Sequence, residues 1–329
     1  MVHIKLPDSN VRPLPFYLAM EEWVARVLAS GDYFFAWRVE PTVICGRNQD
    51  IAAEVDLDYC NRENIRVVRR KSGGGCVFAD MQNYMFSYIT PGDEIRSTFA
   101  EYTGMIVGML RGLGIDARAN GRNDIVVGDR KISGNAFYHL PGRCIVHGTL
   151  LYGLDLARLA RAITPSRSKL ESKAVQSVPM RVTCLSDLGI SMPLEQFGVY
   201  AIEKLTDSER LLTLEEVAEI EAIEQTYYDP TYFWGRRNLR HSEYQSRSRR
   251  VEDVGEVTAT FALQTDGTIK SLSLVGDFFL LDDPDAKIVK PLLGLPYCRE
   301  QLEQALCKIR TETIIAGLDS QTLLNILID

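Results

Sequence analysis

No stretch of the chain approaches the roughly 18 uninterrupted apolar residues that a membrane span requires. The opening MVHIKLPDSNVRPLP has no apolar core followed by a small-residue cleavage site. Export and membrane insertion are therefore not expected, and a cytoplasmic location is. A basic excess is also missing: 37 Lys and Arg face 44 Asp and Glu, for a net charge of −7, whereas a general nucleic-acid binder would carry a basic footprint. The seven cysteines, at 45, 60, 76, 144, 184, 298 and 307, include no CxxC pair. Their spacing predicts neither a zinc site nor a redox dithiol, and they read as reduced thiols. Internal repeats and low-complexity tracts are absent as well. What is present is ordinary globular material: 329 residues, 46% hydrophobic and 25% charged, enough to bury a substantial core and long enough for two domains.

Between Pro15 and Ser30, Phe16, Met20, Trp23, Val24, Val27 and Leu28 recur at helical spacing, with Pro15 suited to a first turn and Gly31 to the stop. Short apolar or alternating runs follow at Tyr33 to Val39, Thr42 to Cys45, Arg66 to Arg70, Cys76 to Phe78 and Tyr84 to Ile89. They are expected to be strands of one mixed sheet. A helix is predicted over Phe99 to Leu113, then strands at Asp124 to Val127, Lys131 to Phe137 and Cys144 to Leu151, with Gly128-Asp129 turning between the first two. Beyond Leu156 the pattern is mostly helical, and Thr213 with Glu216 has the spacing of a capping box. In residues 236–250 six arginines face one acid, Glu243. A domain boundary is expected there, giving domains 1–245 and 246–329. Val257, Ala259, Phe261 and Leu263 then alternate up to an Asp266-Gly267 turn and a return strand, followed by short helices. The fold class is α+β: a mixed sheet with flanking helices, plus a small α+β C-terminal domain.

Three clusters carry candidate chemistry. In Arg69-Arg70-Lys71-Ser72-Gly73-Gly74-Gly75-Cys76-Val77-Phe78, three glycines let a ligand approach the main chain and turn several N–H groups toward one point, which suits phosphate. Arg70 can add a bidentate contact. The bland alternative is a basic surface turn, and the order is not that of a Walker A loop. In Gly121-Arg122-Asn123-Asp124 through Lys131-Ile132-Ser133-Gly134-Asn135, Lys131 opens a strand one tight turn from Asp124. On spacing alone an ordinary salt bridge is the default, although small and amide residues beside a charge suit a ligand-lined wall. His147, in Cys144-Ile145-Val146-His147-Gly148-Thr149-Leu150-Leu151, reads first as a core histidine.

Taken in this order, RRKSGGGCVF, GRNDIVVGDRKISGNA and HGTLL resemble the lipoate-protein ligase family. Arg181-Val182-Thr183 with Leu185, and Gly276-Asp277-Phe278-Phe279, extend the likeness over nearly the whole chain. The resemblance implies a catalytic domain similar to those of biotin-protein ligases and class II aminoacyl-tRNA synthetases. It implies an enzyme that activates lipoic acid with ATP and transfers it to a lysine of an apo lipoyl domain, in a 2-oxoacid dehydrogenase E2 subunit or a glycine cleavage H protein. Carried across by position, Arg70, Gly75, Cys76, Val77, Phe78 and Lys131 correspond to nucleotide-binding residues, and Gly74, Lys131 and His147 to lipoate-binding ones. By the same resemblance Lys131 is expected to be the catalytic residue, and Asp124, with Asn123, the candidate Mg²⁺ contact. Trp37, Val43, Val77 and Phe86 are candidates for the apolar slot. The chain departs from the family pattern at Cys76, where a small residue such as alanine is expected, and in the basic segment after Trp234.

Two other readings compete. An octanoyl or lipoyl transferase would use a cysteine nucleophile without ATP. The position where one branch carries that cysteine falls near Pro165-Ser166 and holds none, leaving Cys144 and Cys184 as formal candidates. A lipoyl carrier is the second, because Glu171-Ser172-Lys173-Ala174 faintly echoes the lipoyl-lysine motif; the expected aspartate is absent. The arginines of 236–250 are either a solvated connector or a strip that steers an acidic carrier toward the site.

Overall fold

A computed structural model describes residues 1–120, 123–153, 155–163, 182–235 and 244–329. The first helix, α1, spans Leu14–Val27 with Pro15 in its opening turn, where the missing N–H costs nothing. It is buried almost all round, with Phe16 and Val24 at 0% exposure and Trp23 at 1%. Each such side chain contributes about 1.5–3 kcal/mol by leaving water. Two carboxylates, Glu21 and Glu22, go down with them, so partners for both are required.

The described residues form fourteen strands: β1 Val2–Lys5, β2 Tyr33–Trp37, β3 Thr42–Cys45, β4 Arg66–Arg69, β5 Val77–Ala79, β6 Tyr84–Pro91, β7 Ala117–Asn120, β8 Asp124–Val127, β9 Arg130–Leu140, β10 Arg143–Leu150, β11 Ser208–Leu211, β12 Gln245–Val251, β13 Gly255–Leu263 and β14 Ile269–Gly276. They do not form one mixed sheet as the apolar runs suggested. An eight-stranded sheet has the order β11-β1-β2-β6-β10-β9-β8-β7, and β4-β3-β5 is a separate three-stranded sheet. The reason lies in the connections. Parallel pairing of β3 with β4 needs a crossover, which the short helices Ile51–Glu54 and Leu57–Arg62 supply. That excursion carries β3, β4 and β5 off the plane of β2 and β6. The strand β1 and the edge strand β11, like β7 and β12, escaped the sequence reading; β1 pairs in parallel with both β2 and β11.

The helix predicted from Phe99 begins earlier and spans Ile95–Arg111. The capping box is present, with Glu216 N–H donating to Thr213 Oγ1 at 3.2 Å and Thr213 N–H to the Glu216 carboxylate at 2.9 Å, before the helix Leu214–Glu224. Among the described residues no helix is long and apolar enough to cross a membrane.

The C-terminal part has its own core, in which Val257, Phe261, Leu274, Leu302 and Leu324 pack between the antiparallel β12-β13-β14 sheet and the helices Arg299–Leu306 and Ser320–Ile328. The expected division after residue 245 falls inside β12, and we propose to place it before Gln245. The basic run is thereby partly strand: Arg247 donates to the carbonyl of Ile328 and Arg250 lies 3.9 Å from Asp277. Residues 236–243 lie outside the described residues, as do Gly121, Arg122, the 165–166 pair, Lys173 and Arg181.

Candidate active site

A cavity of about 100 Å³ opens where the large sheet faces the small one. Met85, Lys131, Gly134, Asn135, Ala136, His147, Gly148 and Thr149 line it from β6, β9 and β10, while Ile44, Gly75, Cys76 and Val77 line it from the small sheet and its glycine loop. Trp37 and the α1 residues Leu14 and Leu18 complete an apolar side. Leu14, Leu18 and Glu21 are spaced i, i+4, i+7, so one helix face carries both the apolar wall and a carboxylate.

Lys131 stands on the hairpin anticipated from Gly128-Asp129, with Gly128 at φ 58°. A register shift between Ile125 and Val126 bulges β9, so that Val126 faces Lys131 and Ile125 faces Ser133. The Lys131 ammonium lies 2.7 Å from Asp124 Oδ1. Gly134 makes room for it, because a Cβ there would lie 2.6 Å from Lys131 Nζ. Beside it, Asn135 and Asn123 clamp one another: Asn135 Nδ2 donates to the Asn123 carbonyl at 3.0 Å and Asn123 Nδ2 to the Asn135 carbonyl at 3.1 Å. A Cβ on Gly148, opposite Asn135, would come within 1.8 Å of its Oδ1.

Arg70 lines the cavity, with most of its guanidinium turned to the loop around it. Its Nη2 donates to the carbonyls of Gly73 at 2.6 Å and Gly75 at 2.9 Å, its Nη1 to Ile44 at 3.0 Å, and its Nε to Ser72 Oγ at 2.9 Å. Four of its five donors are spent on its own surroundings, which leaves one N–H for a ligand in the cavity. It shapes the glycine loop, and burial lowers its pKa from the ordinary guanidinium value. Arg69 does the same for the next loop, donating to the carbonyls of Gly46, Arg47, Gln49, Phe233 and Trp234. Among the described residues neither arginine has a carboxylate partner within ion-pair distance. Two buried positive charges therefore bias the cavity toward anions.

His147 reconciles its two readings: it is satisfied and it lines the cavity. Its Nε2 is 2.7 Å from Ser72 Oγ and its Nδ1 is 2.9 Å from both oxygens of Glu21. Ser72 Oγ accepts from Arg70 Nε and sits against Nε2, while Nδ1 faces the Glu21 carboxylate. Ser87 Oγ donates to Glu21 at 2.6 Å, and Trp37 Nε1 to Ser87 at 2.9 Å. Sequence reasoning missed Glu21 and Ser72. The available signal was a carboxylate at i+7 from Leu14 inside an apolar helix.

Several expected residues sit elsewhere. Phe78, Val43 and Phe86 are fully buried in the core, away from the cavity lining. Gly74 takes φ 88°, which glycine adopts without strain, and faces the C-terminal domain: its N–H donates to the Phe278 carbonyl at 3.2 Å. Phe279 stacks on Phe137 at 5.1 Å, and Gly276 N–H donates to the Asn48 carbonyl at 2.9 Å. The glycine loop is thus held between two domains. Asp124, the candidate Mg²⁺ contact, is paired with Lys131 at 2.7 Å, and the neighbouring Asn123 Nδ2 donates to the Asn135 carbonyl at 3.1 Å.

Among the described lining residues, no cysteine has the low pKa a nucleophile needs. Cys76 lines the cavity, but a hydrogen bond with the Cys45 thiol and burial push its own thiol well up. Burial likewise raises Cys144, whose thiol donates to the Gly92 carbonyl at 3.2 Å.

Two family models match this chain: the lipoyl protein ligase A/B catalytic domain over residues 13–206 and the bacterial lipoate protein ligase C-terminus over residues 242–327. Lipoate–protein ligase 1 of Staphylococcus aureus strain Mu50 is 32% identical over 328 residues, covering 98% of this chain and 99% of that one. The crystal structure of P. falciparum LipL1 in complex with lipoate superposes with a TM-score of 0.76 at 20% identity, over 100% of this chain and 98% of that one. A lipoate-protein ligase A bound with ATP superposes with a TM-score of 0.60 at 24% identity, over 71% of this chain and 97% of that one. These likenesses set the fold, with its mixed sheet, flanking helices and separate C-terminal domain. With both family models matched and a relative alike over its whole length, the chain belongs to the lipoate-protein ligase family, a family of ligases.

Proposed function

We propose that the protein is an ATP-dependent lipoate-protein ligase that condenses lipoate with ATP to lipoyl-AMP, releasing pyrophosphate, and then passes the lipoyl group to a lysine of an apo lipoyl domain. The observation that carries this reading is the position of Lys131, at the junction of an apolar wall and a glycine loop, in a cavity biased toward anions by two buried arginines. The first step brings a carboxylate against the α-phosphorus of a polyanion. A compact cation between them offsets their repulsion, and Asp124 holds that cation until the anions take its place. In the second step the same ammonium faces the oxyanion that forms as the acceptor amine attacks the acyl carbonyl. Leu14, Leu18, Trp37 and Val77 offer the apolar surface for the dithiolane and its alkyl chain. The backbone of Gly75, Cys76 and Val77 offers the nucleotide contact, which explains why a cysteine is tolerated where the family has a smaller residue. Mg²⁺ belongs to this proposal only as a counter-ion of the nucleotide phosphates.

The acceptors we propose are lipoyl domains of 2-oxoacid dehydrogenase E2 subunits or the glycine cleavage H protein. The raised cysteine thiols speak against an ATP-independent transferase. The test is incubation with lipoate, an apo lipoyl domain and Mg²⁺, with and without ATP, read by intact mass. Lipoylation that requires ATP is expected; transfer from an acylated donor in the absence of ATP would refute the proposal.

A further inference from the structure

Sequence spacing gives no dithiol, yet folding creates one. In the antiparallel pairing of β3 with β5, Thr42 faces Ala79, Val43 faces Phe78 and Ile44 faces Val77. One step further along this register Cys45 comes opposite Cys76, and the two sulfurs lie 3.5 Å apart. Directly paired residues of antiparallel strands have Cα atoms about 4.5–5.5 Å apart, inside the range of about 4.4–6.8 Å that a disulfide spans. The sulfur separation exceeds the bonded length of about 2.05 Å by only about 1.5 Å. The pair is also asymmetric: Cys76 is part of the cavity lining, whereas Cys45 lies behind it at 0% exposure. A reagent in the cavity therefore meets Cys76 first and cannot reach Cys45.

We propose that Cys45 and Cys76 form an oxidisable dithiol in the cavity wall, which a small disulfide entering through the cavity closes to an internal cross-strand disulfide that deforms the site. The raised Cys76 thiol makes this step slow at neutral pH and faster in alkali: Cys76 loses its proton to solvent and attacks one sulfur of the reagent, the reagent's S–S bond breaks, one thiolate leaves, and a mixed disulfide forms on Cys76. Cys45, losing its proton in turn, attacks the Cys76 sulfur and displaces the second thiolate. Two protein thiols are oxidised by two electrons, the reagent is reduced to two thiols, and the protons end on those thiols. Cys76 moves the more readily of the two, because it follows three glycines while Cys45 sits within a strand paired on both sides. Its motion drags the backbone of Gly75, whose carbonyl Arg70 holds and which itself lines the cavity. A displacement on the order of 1 Å in such a wall is enough to lower activity roughly a hundredfold.

The test is incubation of the intact protein with excess oxidised glutathione, followed by peptide mapping and by the lipoylation assay before and after dithiothreitol. The exposed Cys298 and Cys307 report that the reagent has acted. A Cys45–Cys76 linked peptide is expected, together with a roughly hundredfold loss of activity that the reductant restores. The variant Cys45→Ala is expected to stop at a glutathione adduct on Cys76. Free thiols at both positions once Cys298 and Cys307 have reacted, a link from Cys45 to Cys60, or full activity in the linked protein would each overturn the proposal. The linked peptide is read without reference to catalysis, so failure here is distinguishable from failure of the ligase reading.

Discussion

Gly134 separates the stability of this site from its chemistry. A methyl group there meets only the tip of the Lys131 side chain, at 2.6 Å from Nζ, which can swing aside. Gly134→Ala is therefore expected to leave the denaturation midpoint nearly unchanged while turnover falls by roughly a hundredfold, because the ammonium is displaced by about 1 Å. Parallel urea melts and lipoylation rates would check this, and a matched loss of both would show that the glycine is structural. At this scale the sequence was informative about charge and poor about direction. The Lys131–Asp124 ion pair followed from a two-residue turn. Phe78 lies next to Val77 yet points into the core, since neighbouring side chains on a strand face opposite ways, and no motif says which face is inward. Glu21 went unread because a helical wheel sorts apolar from polar residues and cannot show that a buried histidine awaits the carboxylate.

Loops at the cavity are held by buried arginines, and that is where an element-scale change should be felt. Arg69 ties the turn after β3 to the end of the helix Pro230–Trp234 through five backbone carbonyls. Lysine keeps the charge but has no planar fork. Arg69→Lys is thus expected to cost about 2 kcal/mol or more by leaving buried carbonyls unpaired. The reading would be a shifted urea midpoint at constant slope, and an unchanged midpoint would count against this role for Arg69. Most strands and the helices near the site were legible from periodicity. Their assignment to two sheets was not, because alternation marks a strand without naming its neighbour, and β3–β4 pairing is decided by a crossover. The strand β1 and the edge strand β11 were missed because each has only four residues and little apolar content.

Across the whole molecule, burial has collected tyrosines that resist ionisation. Tyr138 is raised well above its ordinary value by burial and by Glu21 and Glu22, Tyr227 by burial and by Tyr138, and Tyr102 and Tyr232 chiefly by burial. A pKa raised on folding means stability that is complete below the unfolded value, about 10 for tyrosine, and is lost as pH climbs above it. Thermal melts should therefore be level from neutral pH to about pH 9 and fall steeply beyond about pH 10. A level profile through pH 11 would contradict the burial of these hydroxyls. The two-domain arrangement was visible in the composition shift near residue 240. The contact of Phe278 and Phe279 with the glycine loop was not, because it joins segments about two hundred residues apart. The proposed ligase chemistry needs one cation between two anions, and lipoate-dependent exchange of labelled pyrophosphate into ATP measures that step alone. With both substrates raised to saturation, Lys131→Met should lower the exchange rate by roughly a hundredfold or more while the fold is retained. Exchange at the wild-type rate in that variant would contradict the bridging role of Lys131.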